Sequence, residues 1–213
     1  MRKLLVGMLV VCMVLSFGSL ALAQTGKVSL DQWFTNHEFT NYKKASARLT
    51  GISGEVSITD KIGVAGSFVF GKSEDFKETK NPELSSINLA IQYEIIPMVK
   101  ARAGFLTGSY TGPDKEEKYD MKGITVGAAV DAAVGDGVGI FGAAVYAPIL
   151  TAKIDSEEFK DSSMMAFEAG GTYSFGEIAV KAGYRYQGIE FKEAKVEESA
   201  TFSGFFVGVG LSF

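Results

Sequence analysis

The chain finishes on an extended run whose two faces differ in kind. Phe205, Val207, Val209, Leu211 and Phe213 share one side of a strand, while Gly204, Gly208, Gly210 and Ser212 lie on the other. A strand that is apolar on one side, small or polar on the other, and finished by an aromatic residue suits the closing strand of a transmembrane barrel. In such a barrel every backbone polar group finds its partner inside the sheet, so no edge meets lipid.

The other end of the chain agrees. Arg2 and Lys3 precede an apolar run from Leu4 to Leu20, and Ala21-Leu22-Ala23 places small residues before Gln24. This predicts a secretory signal peptide over residues 1–23 and a barrel domain over 24–213. The run is short and interrupted by Ser16, Gly18 and Ser19, which argues against a membrane anchor, and Val11 before Cys12 is too large for a lipoprotein site. Cleavage would remove the only Cys, so the mature chain is expected to have no disulfide or thiol chemistry. It would also take away Arg2 and Lys3 of the 21 basic residues and none of the 25 acidic ones, moving the formal charge from −4 to −6. No basic patch points to nucleic acid. Past residue 23 no run of about 18 apolar residues remains, so a mature chain embedded in a membrane must cross it as strands.

Tight-turn signals recur. Thr59-Asp60-Lys61, Ile96-Pro97-Met98, Gly135-Asp136-Gly137 and Gly176-Glu177 have centres roughly 37 to 40 residues apart, a hairpin period. Five such periods predict about ten strands, with eight as the alternative if residues 24–44 form none. Between the turns lie longer segments rich in Glu, Asp and Lys: 72–83, 111–120, 153–163 and 190–199. Short turns at one end and long charged loops at the other correspond to the periplasmic and extracellular ends of a membrane barrel.

The intervening strands alternate. Ile62, Val64, Gly66, Phe68 and Phe70 oppose Gly63, Ala65, Ser67 and Val69, and Ile87, Leu89, Ile91, Tyr93 and Ile95 oppose Asn88, Ala90, Gln92 and Glu94. Val99, Ala101, Ala103 and Phe105 oppose Lys100, Arg102 and Gly104, and Ile178, Val180, Ala182, Tyr184 and Tyr186 oppose Lys181, Gly183, Arg185 and Gln187. Charge keeps to one face. A soluble sandwich alternates too, but Tyr93, Tyr173, Phe175 and Phe213 fall near the short turns and Phe68, Phe70, Tyr146, Tyr184 and Tyr186 nearer the loops, as two interfacial aromatic belts would. The first hairpin is the least regular: Gln32 shares the parity of Val28, Leu30 and Phe34, and Asp31 and Trp33 would point inward.

The terminal strand resembles the C-terminal assembly signal of Gram-negative outer-membrane barrels, carried by Phe205, Val207, Val209, Leu211 and Phe213. Over the mature length the chain resembles the small barrels of the OmpA-like and OmpX-like superfamily. That resemblance implies an all-β, antiparallel up-and-down barrel in the cell outer membrane. It implies contact with outer-membrane lipid and lipopolysaccharide, and delivery by the barrel insertion machinery. No peptidoglycan-binding domain is expected after the barrel.

Catalysis needs a base within hydrogen-bond reach of its partner. The single histidine, His37, is expected in the shortest outer loop beside Glu38, with neither an Asp-x-His nor a His-x-Ser sequence, and an exposed loop histidine is the plain reading. With one His and no mature Cys, neither a transition-metal site nor a cofactor is expected. The acidic loops offer carboxylates for weak Ca²⁺ or Mg²⁺ binding that could bridge to lipopolysaccharide phosphates, but lack the spacing of an ordered calcium loop, so solvated charge is favoured.

The inward face is the informative constellation. Glu55, Glu94, Asp131 and Glu168 face Lys100, Arg102, Lys181 and Arg185 across the lumen, four charges of each sign. Charges in a narrow interior demand pairing or water, which leaves an ion-pair plug or a polar path. Thr125, Gly127, Ala129 and Ala133, with Gly139, Ala143 and Ala147, leave space beside the arginines for either. The expected function is a non-catalytic integral barrel with a structural or loop-presenting role; the alternative is a narrow passive channel for small solutes. A rim enzyme built on His37 comes a distant third.

Overall fold

The computed structural model describes residues 25–40, 44–73, 81–112, 118–154, 157–193 and 196–213. The expected signal peptide lies outside them. The described residues form ten strands: β1 (Thr25–Phe39), β2 (Ala45–Ser57), β3 (Ile62–Ser73), β4 (Glu83–Ile96), β5 (Val99–Thr111), β6 (Lys118–Gly135), β7 (Val138–Ile154), β8 (Glu157–Phe175), β9 (Ile178–Glu193) and β10 (Val196–Ser212). Each pairs antiparallel with its sequence neighbours, and β1 pairs with β10, closing the barrel. The count of ten stands. Residues of the first hairpin supply β1, which runs in continuous register with both β2 and β10.

The turns fall where the hairpin period places them, and each has a local cause. Thr59 Oγ1 accepts the Ile62 amide at 3.0 Å and so rounds the β2–β3 corner. Pro97 presets the β4–β5 turn, whose next residue, Met98, takes φ 81°, while Gly137 and Gly176 take φ 74° and 63° in the next two. The seam closes by a mutual pair: Gly26 N–H donates to Phe213 O at 2.8 Å, and Phe213 N–H donates to Gly26 O at 2.9 Å.

Along β10 the face carrying Phe205, Val207, Val209, Leu211 and Phe213 points outward and is exposed, as it is for Leu89, Ile91, Ile140 and Val180 on other strands. These large apolar side chains ring the barrel over its lower and middle height. Water would penalise such a surface, and acyl chains do not. Aromatic pairs sit in it: Phe167 stacks on Tyr186 at 5.0 Å, and Tyr184 meets Phe205 edge-on at 5.4 Å.

Higher up, the polarity inverts. Outward positions become Glu38, Lys72, Asp120, Lys153, Glu190 and Lys192, while inward ones become Tyr110, Tyr119, Leu150, Ile189, Phe191 and Phe202. A barrel wall that has left the bilayer meets water outside, so its inside becomes the place to bury apolar surface. This corrects the loop assignment. Segments 153–163 and 190–199 are mostly strand, because a polar outward face is compatible with a strand once it stands clear of lipid. At Pro148 the side-chain alternation of β7 slips by one residue, with register shifts against both β6 and β8, so that Ala147 and Leu150 both point inward.

Candidate functional site: a lumen of two halves

The upper lumen is a dry core. Trp33, Leu49, Tyr110, Phe191, Phe202 and Phe206, drawn from five strands, meet across it with essentially no exposure. Trp33 Nε1 donates to Gly204 O at 3.2 Å, and Tyr119 stacks on Phe191 at 4.1 Å. Tyr119 donates its hydroxyl to Glu198 Oε2 at 2.5 Å.

His37 lies in this core and not in a loop, which overturns the exposed-histidine reading. β1 continues through it to Phe39, and odd positions of β1 point inward. Its Nδ1 is 2.9 Å from Ser73 Oγ and its Nε2 is 3.0 Å from the Tyr110 hydroxyl, while its ring stacks on Phe202 at 4.4 Å. A Ser–His contact is therefore present, but it is walled in on all sides. Its fit is that of a satisfied core histidine.

Below the dry core the lumen widens into a cavity of about 500 Å³ whose wall carries charged side chains on an otherwise largely apolar lining. Its walls run from Leu106, Met164 and Gln187 at the top to Gly135, Gly137, Ser174 and Ser212 beside the short turns. None of Trp33, His37, Tyr110 and Phe202 lines it. At the bottom a second hollow, sharing Lys27, Glu55, Lys100 and Ser212, continues it to the rim by the short turns. The small inward residues expected on β6 and β7 make the room: Thr125, Gly127, Ala129, Ala133, Gly139 and Ala143 all line the cavity, whereas Ala147 lies in the dry core.

The expected charges resolve into two groups. In the first, Arg185 donates to Glu168 Oε2 from Nε at 2.7 Å and to Asp31 Oδ1 from Nη1 at 2.9 Å. Lys181 Nζ lies 3.0 Å from Asp31 Oδ2 and donates to Ser29 Oγ at 3.0 Å. Phe206 supports both cations from above, 4.6 Å from the Arg185 guanidinium and 5.5 Å from Lys181 Nζ. In the second, Glu55 receives Lys100 at 3.1 Å and Arg102 at 3.3 Å, and Lys27 joins Asp131 at 2.5 Å.

Glu94 stands apart, with no ion pair among the described residues. Asp31 and Lys27 are the members that the expected set lacks. Parity alone places both inward, but β1 reads weakly as a strand, because Gln32 interrupts its lipid face. Asp31 is nonetheless the best-buried carboxylate of the group, with a side chain 1% exposed. The ions do not close the lumen, as an ion-pair plug would; they line an open chamber beneath a packed aromatic layer. Among the described residues no cluster of three or more His, Cys, Asp or Glu could hold a metal ion.

Comparison with known proteins agrees with this architecture. No curated protein matches the chain by sequence. Among solved structures it is similar to the outer membrane protease OmpT from Escherichia coli, at 11% identity and a TM-score of 0.57, with 89% of this chain and 96% of that chain covered. It is also similar to Neisserial surface protein A, at 16% identity and a TM-score of 0.43 over 88% and 97% of the two chains. A third is the attachment invasion locus protein of Yersinia pestis, at 15% identity and a TM-score of 0.40 over 89% and 98%. The first likeness carries the barrel fold. The lipid-facing band and closed antiparallel sheet make this a transmembrane barrel of the outer-membrane type. The model of one family, described as YfaZ precursor, matches residues 59–213, from the first short turn to Phe213, and the chain belongs to that family.

Proposed function

We propose that this protein is a non-enzymatic barrel of the outer envelope, sealed against passive conduction, which displays its projecting upper wall and loops outside and keeps a solvated chamber on the periplasmic side. The dry core from Trp33 to Phe202 carries this reading. Ions entering the chamber from below would have to cross close-packed aromatic rings, where an unpaired charge is very costly. The same core argues against catalysis at His37, since its ring is fully buried. The outer face of β10 is proposed as the surface offered to the insertion machinery, and the cationic and anionic side chains of the upper wall as the contact with lipopolysaccharide.

The test is conductance of the refolded barrel in a planar bilayer, beside a variant carrying Trp33→Ala and Phe202→Ala. A silent parent and a conducting variant support the sealed barrel. Discrete openings in the parent, altered by Arg102→Ala or Arg185→Ala, would instead establish the narrow channel.

A further inference from the structure

The chamber below the aromatic layer is unevenly satisfied. Five cationic side chains and four carboxylates line it, and the pairing is not spread equally. Arg185 holds two carboxylates, Lys181 shares Asp31 with it, and Lys27 has Asp131. Lys100 and Arg102 are left to share Glu55, which Lys27 also approaches at 4.0 Å. Among the charges that line the cavity the positive surplus therefore sits on the Lys100–Arg102 pair, while Glu94, the register neighbour of Lys100 on β4, lies outside the lining and forms no ion pair with it.

Hydrogen bonding points the same way. Arg102 Nε and Gln187 Nε2 are both enclosed and find no acceptor among the described residues. Gln187 is only 6% exposed and lines the roof of the cavity. Both orphan groups on the lining are N–H donors, so an occupant that satisfies them must bring acceptors; the remaining orphan among the described residues, the acceptor Gln92 Oε1, lies across from Arg102 in register but outside the lining. The rest of the wall is mixed: Ser67, Ser86, Asn88 and Thr125 are polar, whereas Val69, Leu106, Phe141, Val145 and Met164 give it an apolar stretch. About 500 Å³ is within the usual range for a site that encloses a small organic molecule.

We propose that the periplasm-facing half of the lumen is a binding site for an organic oxyanion with an apolar body, its charged head on Lys100 and Arg102 and its body against Leu106, Phe141 and Met164. The site is blind at its outer end and is filled and emptied through the rim by the short turns. Glu55 is the internal competitor for the same two cations, so it sets how tightly the ligand is held. This goes beyond the sealed-barrel reading and stands on the cavity alone.

Isothermal titration of the barrel in lipid nanodiscs with octanoate tests it, with octylammonium as the charge-reversed probe and empty nanodiscs as the blank. One saturable octanoate site absent from empty nanodiscs is expected, with no saturable octylammonium heat. Arg102→Gln should weaken octanoate binding about tenfold or more, and Glu55→Gln should tighten it, two changes of opposite sign that general damage to the fold would not produce. Octanoate heat equal to that of empty nanodiscs, equal binding of the two probes, or shifts of the same sign in both variants would overturn the proposal. Preloading the nanodiscs with oleate distinguishes the source. Loss of octanoate binding identifies a bilayer-borne acid as a ligand, and retention identifies a soluble anion.

Discussion

Asp31 and Arg185 are joined by a 2.9 Å hydrogen bond although 154 positions separate them and β10 runs between their strands. β10 leaves them room because it presents glycines on its inner face, Gly208 between Asp31 and Lys181 and Gly204 opposite Arg185, with the Phe206 ring stacked on the guanidinium between them. Asp31→Asn should therefore strip Lys181 and Arg185 of their common counter-ion. A loss of about 3 kcal/mol is expected, the low end for breaking a buried pair, because Arg185 keeps Glu168. Denaturant unfolding from lipid vesicles measures it, and an unshifted midpoint would show that chamber water replaces the carboxylate at no cost.

Gly208→Ala probes the same row by steric means. A Cβ there would lie 2.6 Å from Leu30 O and 2.7 Å from Asp31 Cβ, so β1 and β10 would have to part. About 1–3 kcal/mol of destabilisation is expected, with faster hydrogen exchange confined to the β1–β10 seam. Exchange that rises evenly around the barrel would contradict a local clash.

Met98 holds φ 81° at an exposed turn with a side chain that gains little from packing. Met98→Gly should relieve this and stabilise the barrel by about 1 kcal/mol. The thermal unfolding midpoint of the refolded protein reports it, and a decrease would mean that the Met98 side chain is anchoring the turn in the membrane interface.

His37→Phe keeps an aromatic ring on Phe202 but removes the partner of the Ser73 hydroxyl, which is enclosed in the core. A cost of about 1–3 kcal/mol follows from leaving that group unpaired. Pairing the change with Ser73→Ala should recover part of it, and strict additivity of the two substitutions in unfolding experiments would refute their coupling.

Phe213 contributes both the backbone pair that closes the seam with Gly26 and an exposed ring on the lipid face. Phe213→Ala retains the former and loses the latter. Refolding into vesicles should proceed nearly as in the parent, while the amount assembled in living cells falls severalfold. Equal losses in both settings would assign the ring a stabilising role and not one in delivery.

Much of this was legible in residue alternation. The turns at Asp60, Pro97, Asp136 and Gly176 fix the hairpins, and parity alone sends Arg102, Lys181 and Arg185 inward. What parity cannot supply is height along the barrel. Asn36-His37-Glu38 is as polar as a loop, yet the inward sequence Asp31, Trp33, Thr35, His37 continues unbroken, and only its position above the lipid band turns the interior apolar there. Cross-barrel partners are equally hidden, because the meeting of Asp31 with Lys181 depends on the stagger of three strands and on one glycine between them. Phe206 shares the small face of β10 and still serves as the roof over two cations, a role set by what stands opposite and not by its neighbours in sequence.

The proposed sealing by the aromatic core has a thermodynamic corollary. A vessel with a single opening equilibrates with one compartment only, so its occupancy follows concentration in the periplasm and is indifferent to the medium outside the cell. No gradient across the outer membrane can drive net transfer through such a vessel. A barrel sealed as proposed would retain, sample or hand back what it holds, and would not import it.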